Sequence, residues 1–249
     1  MSAPKALNVV VMGGSGPSGI AAARALHDAG HTVFTVGSDG QRIESAAAEA
    51  GSGVTPLVCD LASLTEVRSL HAEITARSGK VDGVIHLVGG WRGAKGIADQ
   101  SDEDWDFLER SAITTVRNVT RVFYGDLAAS VTGRFAMVSS AAVGSPTAAA
   151  ASYVAAKAAA EAWTLAVADG FRRDQTATGP TGAAGGPAEQ RSAAVIFVVK
   201  ALVDAGMRAK SPERSFPGFT DVEDLAAAAV GLFTTPAAEL NGRRLPLSR

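Results

Sequence analysis

Within the alanine-rich stretch "SYVAAKAAAEAW" (152–163), Tyr153 and Lys157 stand four residues apart. On a helix this spacing puts both side chains on one face, one turn apart. A phenol has an unperturbed pKa near 10, too high for acid–base work close to neutrality. An ammonium one turn away favours the phenolate and lowers that pKa. The pair can therefore be a proton-transfer device. It can equally be a core aromatic beside a rim lysine, and the elements around it decide between the two.

Those elements alternate along the chain. Short apolar runs at 6–12, 31–37, 54–60, 81–90, 133–140 and 193–200 read as strands, and 242–248 as a short last strand. Amphipathic patterns between them, at 18–30, 40–51, 63–79, 101–127, 152–171 and 221–234, read as helices. Ser63 and Glu66 form a capping box for the third of these. Near-continuous apolar strands alternating with helices imply a parallel sheet covered on both faces. The expected fold is α/β, a Rossmann-like doubly wound parallel sheet of about seven strands in three layers. It occupies residues 1–249 as a single domain.

In such a sheet ligands bind at the carboxyl ends of the strands, so the loops that follow strands face the site. The stretch "RRDQTATGPTGAAGGPAEQRS" (172–192) precedes the sixth strand and is poor in large apolar residues. It reads as a flexible surface insertion on the far edge, without a catalytic role.

The first strand runs into "MGGSGPSGI". Gly13, Gly16 and Gly19 form G-x-x-G-x-x-G, with Ser15 inside it, between a strand and a helix. Glycines there allow a tight turn and close approach of a pyrophosphate, which meets the free N–H groups of the helix start. Dinucleotide binding follows from that placement more than from the pattern itself.

With these features assembled, the chain resembles the short-chain dehydrogenase/reductase family along nearly its whole length, with a variant glycine motif. The resemblance rests on the glycine turn, Asp60-Leu61 after the third strand, Gly89-Gly90 after the fourth, and Ser140 thirteen residues before Tyr153. It implies an NAD(P)-dependent oxidoreductase interconverting a carbonyl and a secondary alcohol. Tyr153 is then the acid/base, Lys157 lowers its pKa and binds ribose, and Ser140 holds the substrate oxygen. Ser139 is the rival for that serine role. The cofactor is expected to meet Gly13, Ser15, Gly16, Gly19, Ser38, Asp60, Leu61, Gly89 and Lys157. Gly37 stands where an NAD-binding acid usually sits, and Ser38 after it leans toward NADP, while Asp39 and Arg42 pull in opposite directions. The family also implies a homodimer or homotetramer packed through helices 101–127 and 152–171.

Departures from the family pattern matter as well. Pro17-Ser18-Gly19 replaces the usual end of the glycine turn, and His86-Leu87-Val88-Gly89 replaces Asn-Asn-Ala-Gly. Ala112 stands at the relay asparagine, with Asn118 too far along to substitute, and Lys200-Ala201 replaces Pro-Gly. They keep open an alternative in which the protein is a low-turnover dinucleotide-binding regulator or scaffold.

Composition excludes several classes. Hydrophobic residues make up 47% and charged residues 19%, with a net charge of −2 and no basic run. No nucleic-acid or membrane partner is expected. The partner is a small-molecule carbonyl or alcohol. The single cysteine, Cys59, excludes an internal disulfide or a cysteine metal cluster, and it reads as a buried small hydrophobe. No histidine pair has metal spacing. His86 reads as a core residue, and His27, His31 and His71 as surface residues. Trp91, Arg92, Lys95, Phe216, Pro217 and Phe219 are expected beside the substrate. No signal segment or apolar span of roughly 18 residues occurs, which points to a cytoplasmic setting.

Overall fold

The computed structural model describes residues 6–178 and 189–247. Seven strands form one parallel sheet in the order β3-β2-β1-β4-β5-β6-β9. They are β1 (Asn8–Met12), β2 (Thr32–Gly37), β3 (Thr55–Val58), β4 (Gly83–His86), β5 (Arg134–Ser140), β6 (Ala193–Val199) and β9 (Arg244–Pro246). Two-residue strands β7 (Leu202–Val203) and β8 (Thr220–Asp221) pair separately. The order reverses between β1 and β4, which makes a crevice at their carboxyl ends.

Alternation along β1 shows why the sheet has three layers. Val10 and Met12 join the core under α3 (Leu64–Ser78), α5 (Thr115–Ala129) and α6 (Ala151–Thr178), with Phe123 and Phe171. Val9 and Val11 join the opposite core with Leu26 of α1 (Pro17–Asp28), Ala47 of α2 (Gly40–Ala50) and Leu225 of α8 (Val222–Gly231). Side chains of period two bury both faces, as a doubly wound sheet requires.

The capping signals act with one change. Ser63 Oγ accepts from Glu66 N at 3.3 Å, but the Glu66 carboxylate takes Asp60 N at 2.8 Å and not the cap's own N–H. It thereby fixes the loop after β3. The helix expected over 101–127 is divided. α4 (Asp102–Leu108) passes through a π-helical turn over Glu109–Thr114 before α5 resumes. A π turn inserts an extra residue and rotates every later side chain about the axis. Here it brings Arg110 and Ser111 to the crevice while Asn118 points inward.

Of the stretch expected as a surface insertion, 172–192, the middle part, 179–188, lies outside the described residues. Its start is helical, because α6 continues through Thr178. Gln175 Oε1 accepts from Arg191 N and Ser192 N at 2.9 and 3.0 Å, which ties the helix to the entry of β6. After β6 the chain forms α7 (Ala205–Lys210), and the short α9 (Ala237–Leu240) precedes β9. Among the described residues no helix is long and apolar enough to cross a membrane.

Candidate active site

A cleft of about 500 Å³ opens at the carboxyl ends of β1, β2, β3 and β4. Gly13, Ser15, Gly16, Ser38, Asp60, Leu61 and Gly89 all line it. The expected cofactor residues are thus brought together, with two exceptions: Lys157, which stands behind Gly89, and Gly19. That glycine is buried behind the turn, where a Cβ would stand 2.5 Å from the Gly13 carbonyl oxygen. It serves the close packing of helix on turn and does not face the cleft.

The glycines divide by physical cause. Gly13 has φ +87°, and a Cβ there would press on the Leu87 and Val88 backbone at 3.0 Å. The fold itself demands glycine at that position. At Gly16 a Cβ would meet nothing within 4 Å. Packing gives no reason for the missing side chain at the lip of the cleft, and its absence leaves the backbone open to close approach. Gly16 is also the N-cap of α1, with no side-chain cap and with Pro17 following. The N–H groups of the first turn stay available to an anion. Ser15 Oγ is buried without a hydrogen-bond partner.

The far wall is fixed by polar contacts. Asp60 accepts from Ala62 N at 3.0 Å and pairs with Arg110. The buried amide of Asn118 donates to the Leu61 and Ala62 carbonyls at 3.2 and 3.0 Å. Neither Arg110 nor Asn118 was expected here. Asn118 sits on an amphipathic helix among apolar neighbours, a pattern that signals a buried hydrogen-bonding task. Cys59 lines the same wall, and its thiol is pushed up to about 12 by burial, then by the carboxylates of Glu66 and Asp60.

At the β4–β5 end stand Ser140, Tyr153 and Lys157. Lys157 is 7% exposed and donates to the Val138 carbonyl at 2.9 Å. Its Nζ lies 3.1 Å from where a Cβ at Gly89 would stand, so the amine reaches the inner end of the cleft. Burial pulls the ammonium down to about 8, opposed by Glu161. Burial raises the Tyr153 phenol above its usual value, and the neighbouring Ser140 hydroxyl opposes this. The influence that lowers the phenol is Ser140's, where the sequence reading placed it on Lys157. Ser139 turns away from Tyr153 and donates to Glu161. Strand alternation separates the two serines as spacing anticipates.

The start of α6 is held from outside. Gln100 Oε1 accepts from Ser152 Oγ at 2.6 Å and from Ser152 N at 3.2 Å, while its amide donates to the Ala148 carbonyl at 3.0 Å. Ala112 packs with Leu108 and Ala156 beside Tyr153, an apolar contact. Trp91 is exposed, and the Arg92 guanidinium covers the Phe107 ring at 3.9 Å. Phe216 and Phe219 pack together after β6, with Arg214 and Lys200 beside them.

His86 is buried in β4, and its pKa falls to about 3, chiefly through burial, with Lys157 as the next cause. The other histidines differ from expectation. His27, His31 and His71 are half-buried; His31 packs on Phe233 and His71 on Phe123, because an imidazole body is largely apolar. Trp163 is partly exposed and donates to Thr120 Oγ1 at 2.8 Å, which links α6 to α5. Among the described residues no cluster of three His, Cys, Asp or Glu side chains is placed to hold a metal ion.

Residues 7–178 match the family model described as short chain dehydrogenase. A (5R,7aS)-5-hydroxy-7a-methyl-1-oxo-2,3,5,6,7,7a-hexahydro-1H-indene-carboxyl-CoA reductase of Mycobacterium tuberculosis is 30% identical over 120 residues, 47% of this chain. Nodulation protein G of a Rhizobium species is 32% identical over 112 residues, 45% of this chain. The match spans 45% of the length of each of these relatives. Among solved structures, a short chain oxidoreductase of Pseudomonas aeruginosa described as containing an atypical catalytic center superimposes with a TM-score of 0.81 at 18% identity. That likeness covers 97% of this chain and 95% of the other. An NAD⁺-bound xylitol dehydrogenase gives 0.78 at 18% identity, covering 97% of both chains. At such identities the likeness is one of fold.

Proposed function

For a chain that belongs to the short chain dehydrogenase family, we propose an NAD(P)-dependent oxidoreductase that interconverts a carbonyl and a secondary alcohol. The observation that carries this reading is a juxtaposition. Ser140 and Tyr153, close enough for the serine hydroxyl to influence the phenol, stand at the strand ends where Lys157 Nζ meets Gly89, the inner end of the cleft that begins at Gly16.

The residues present fit a dinucleotide. The open Gly16, the uncapped start of α1 and the unpartnered Ser15 hydroxyl suit a pyrophosphate and its neighbouring ribose. Lys157 keeps two N–H donors beyond the one given to Val138, enough to hold ribose hydroxyls. When bound, the nicotinamide supplies or takes the hydride. The protein's own work is positional and protonic. Ser140 donates to the substrate oxygen and fixes it beside Tyr153. A phenol whose pKa is raised by burial stays protonated at neutral pH, so it is ready to give its proton to an oxygen becoming an alkoxide.

Preference for NADP has its own support. Asp39 is engaged as the N-cap of α2, accepting from Arg42 N at 2.9 Å. Among the described residues no carboxylate pairs with the Arg42 guanidinium, which lines the cleft near Ser38. A free cation there suits a 2′-phosphate. The shared face of α5 and α6, bearing Tyr124 and Trp163, is the proposed subunit contact, for which light scattering is the check.

Tyr153→Phe tests the enzymatic reading. Turnover of a carbonyl panel should fall by about 10²–10⁴-fold while dinucleotide binding, followed by fluorescence, stays within a few-fold. An unaffected rate would remove Tyr153 from the chemistry. A protein that binds dinucleotide but turns over no member of the panel would favour the scaffold alternative.

A further inference from the structure

The Tyr153–Lys157 stripe continues one turn further, to Glu161. All three residues sit at i, i+4 and i+8 of a helix otherwise rich in alanine, so they share one face. Glu161 is buried, at 6% exposure. A carboxylate taken out of water costs several kcal/mol unless it is paired and hydrogen-bonded. Here three elements supply the pairing. Ser139 Oγ of β5 donates to Oε1 at 2.5 Å. Arg244 of β9 grips both oxygens, with Nε 2.9 Å from Oε2 and Nη2 3.2 Å from Oε1. Lys157 lies one turn back on α6.

Ser139 sits between the two positions that matter for the reaction. Before it, the Val138 carbonyl receives Lys157 Nζ. After it, Ser140 meets Tyr153. Anchoring Ser139 through its hydroxyl therefore fixes both neighbours. Resting on the oxidoreductase reading above, we infer that Glu161, locked by Ser139 and Arg244, is a positioning residue that holds Lys157 as an ammonium and fixes the end of β5 that presents Ser140. The groups facing Lys157 agree with this. Glu161 favours its charged form, His86 from β4 faces it as a neutral ring, and Tyr153 on its own helix is a protonated phenol. Glu161 is then the anion that opposes the loss of the Lys157 proton caused by burial. The C-terminal edge strand thus reaches the reaction centre through one carboxylate.

The test reads Lys157 directly, without substrate or turnover. The chain has six lysines, few enough for a resolved NMR titration of full-length protein labelled with ¹³C at lysine Cε, with Lys157 assigned by Lys157→Arg. In Glu161→Gln the Lys157 midpoint should move to lower pH by about half a unit or more, because the counter-charge is gone. Glu161→Asp keeps the charge and should hold the midpoint close to that of the unaltered protein. Arg244→Met leaves α6 untouched and removes the competing cation, so it should move the midpoint upward; it decides the matter should Glu161→Gln fail to fold. A midpoint that does not move in Glu161→Gln, or that falls in Arg244→Met, overturns the inference. The inference and the enzymatic reading fail separately. A Tyr153→Phe protein with full turnover sinks the reading of the site yet leaves the lysine titration standing, and an immobile lysine titration does the reverse.

Discussion

The hydroxyl of Ser15 occupies the place where a Cβ at Gly37 would stand, and the Ile43 side chain closes the other side at 3.2 Å. The end of β2 therefore has no room for the acid that would grip an NAD ribose, for a reason of packing. Gly37→Asp alone should overpack this corner and cost about 1–3 kcal/mol in denaturant unfolding. Combined with Ser15→Gly, the carboxylate gains its space. The double variant should then lose about 10–100-fold in NADPH binding relative to NADH, since a carboxylate repels the 2′-phosphate. Fluorescence titration with both dinucleotides gives the ratio, and an unchanged ratio would refute this account of the corner.

The companion prediction concerns Arg42, which lines the same corner without a carboxylate partner among the described residues. Arg42→Ala should weaken NADPH by about tenfold and leave NADH within about twofold, as expected for one charge-assisted contact to phosphate. Equal losses for the two dinucleotides would show that Arg42 does not read the phosphate.

Ser140 bears on pH as well as on orientation. Burial raises the Tyr153 phenol and the Ser140 hydroxyl works against that rise. Ser140→Ala removes the opposition, so the phenol climbs further. Alcohol oxidation needs the phenolate, and its acid limb should therefore shift to higher pH in this variant. Carbonyl reduction needs the protonated phenol and should lose rate, by about 10–10³-fold, without an equivalent shift near neutrality. Rate–pH profiles in both directions check the sign; a shift of the oxidation limb to lower pH contradicts it.

The sheet and the glycine turn were legible because period-two burial and helix punctuation are local properties, written out in runs such as "VVVM" and stops such as Gly30 and Gly79. The opposite facing of Ser139 and Ser140 was legible too, since side chains alternate along β5. What could not be read were partnerships between distant segments. Asn118 meets the loop after β3 across more than fifty residues, and Arg244 meets Glu161 across eighty-three. Neither spacing has a local signature. The π turn at Glu109–Thr114 was hidden for another reason: its residues fit an α-helical pattern, and only the required facing of Arg110 and Asn118 distinguishes the two. Glu161 was the missed residue with a visible signal, a lone acid on the stripe of Tyr153 and Lys157.

Asn118 offers a test of how the distal wall acts. Its two amide hydrogens satisfy the Leu61 and Ala62 carbonyls from a buried position. Asn118→Ala leaves those carbonyls without their donors and should cost about 1–3 kcal/mol of stability. The loop that carries Asp60 loosens, while Ser140, Tyr153 and Lys157 keep their surroundings on β5 and α6. KM for the dinucleotide should rise several-fold with kcat little changed. A fall in kcat at constant KM would mean that the wall communicates with the reaction centre.

His86 links the site to stability in acid. Its folded pKa, about 3, lies below its ordinary value of 6.5, because burial disfavours the imidazolium. Between those values the unfolded chain binds a proton that the native protein does not. Stability from this group is therefore complete above about pH 6.5 and drains away as pH falls toward 3, on the order of 5 kcal/mol in all. His86 Nε2 is buried without a partner, so a leucine in its place forfeits no hydrogen bond at that atom. His86→Leu should remove this proton linkage. Its acid-unfolding midpoint, followed by circular dichroism, should move to lower pH, with stability at pH 8 changed by about 1 kcal/mol or less. A midpoint that moved to higher pH would indicate that the native imidazole binds protons more readily than the unfolded one, contrary to its enclosure between Met12 of β1 and Met137 of β5.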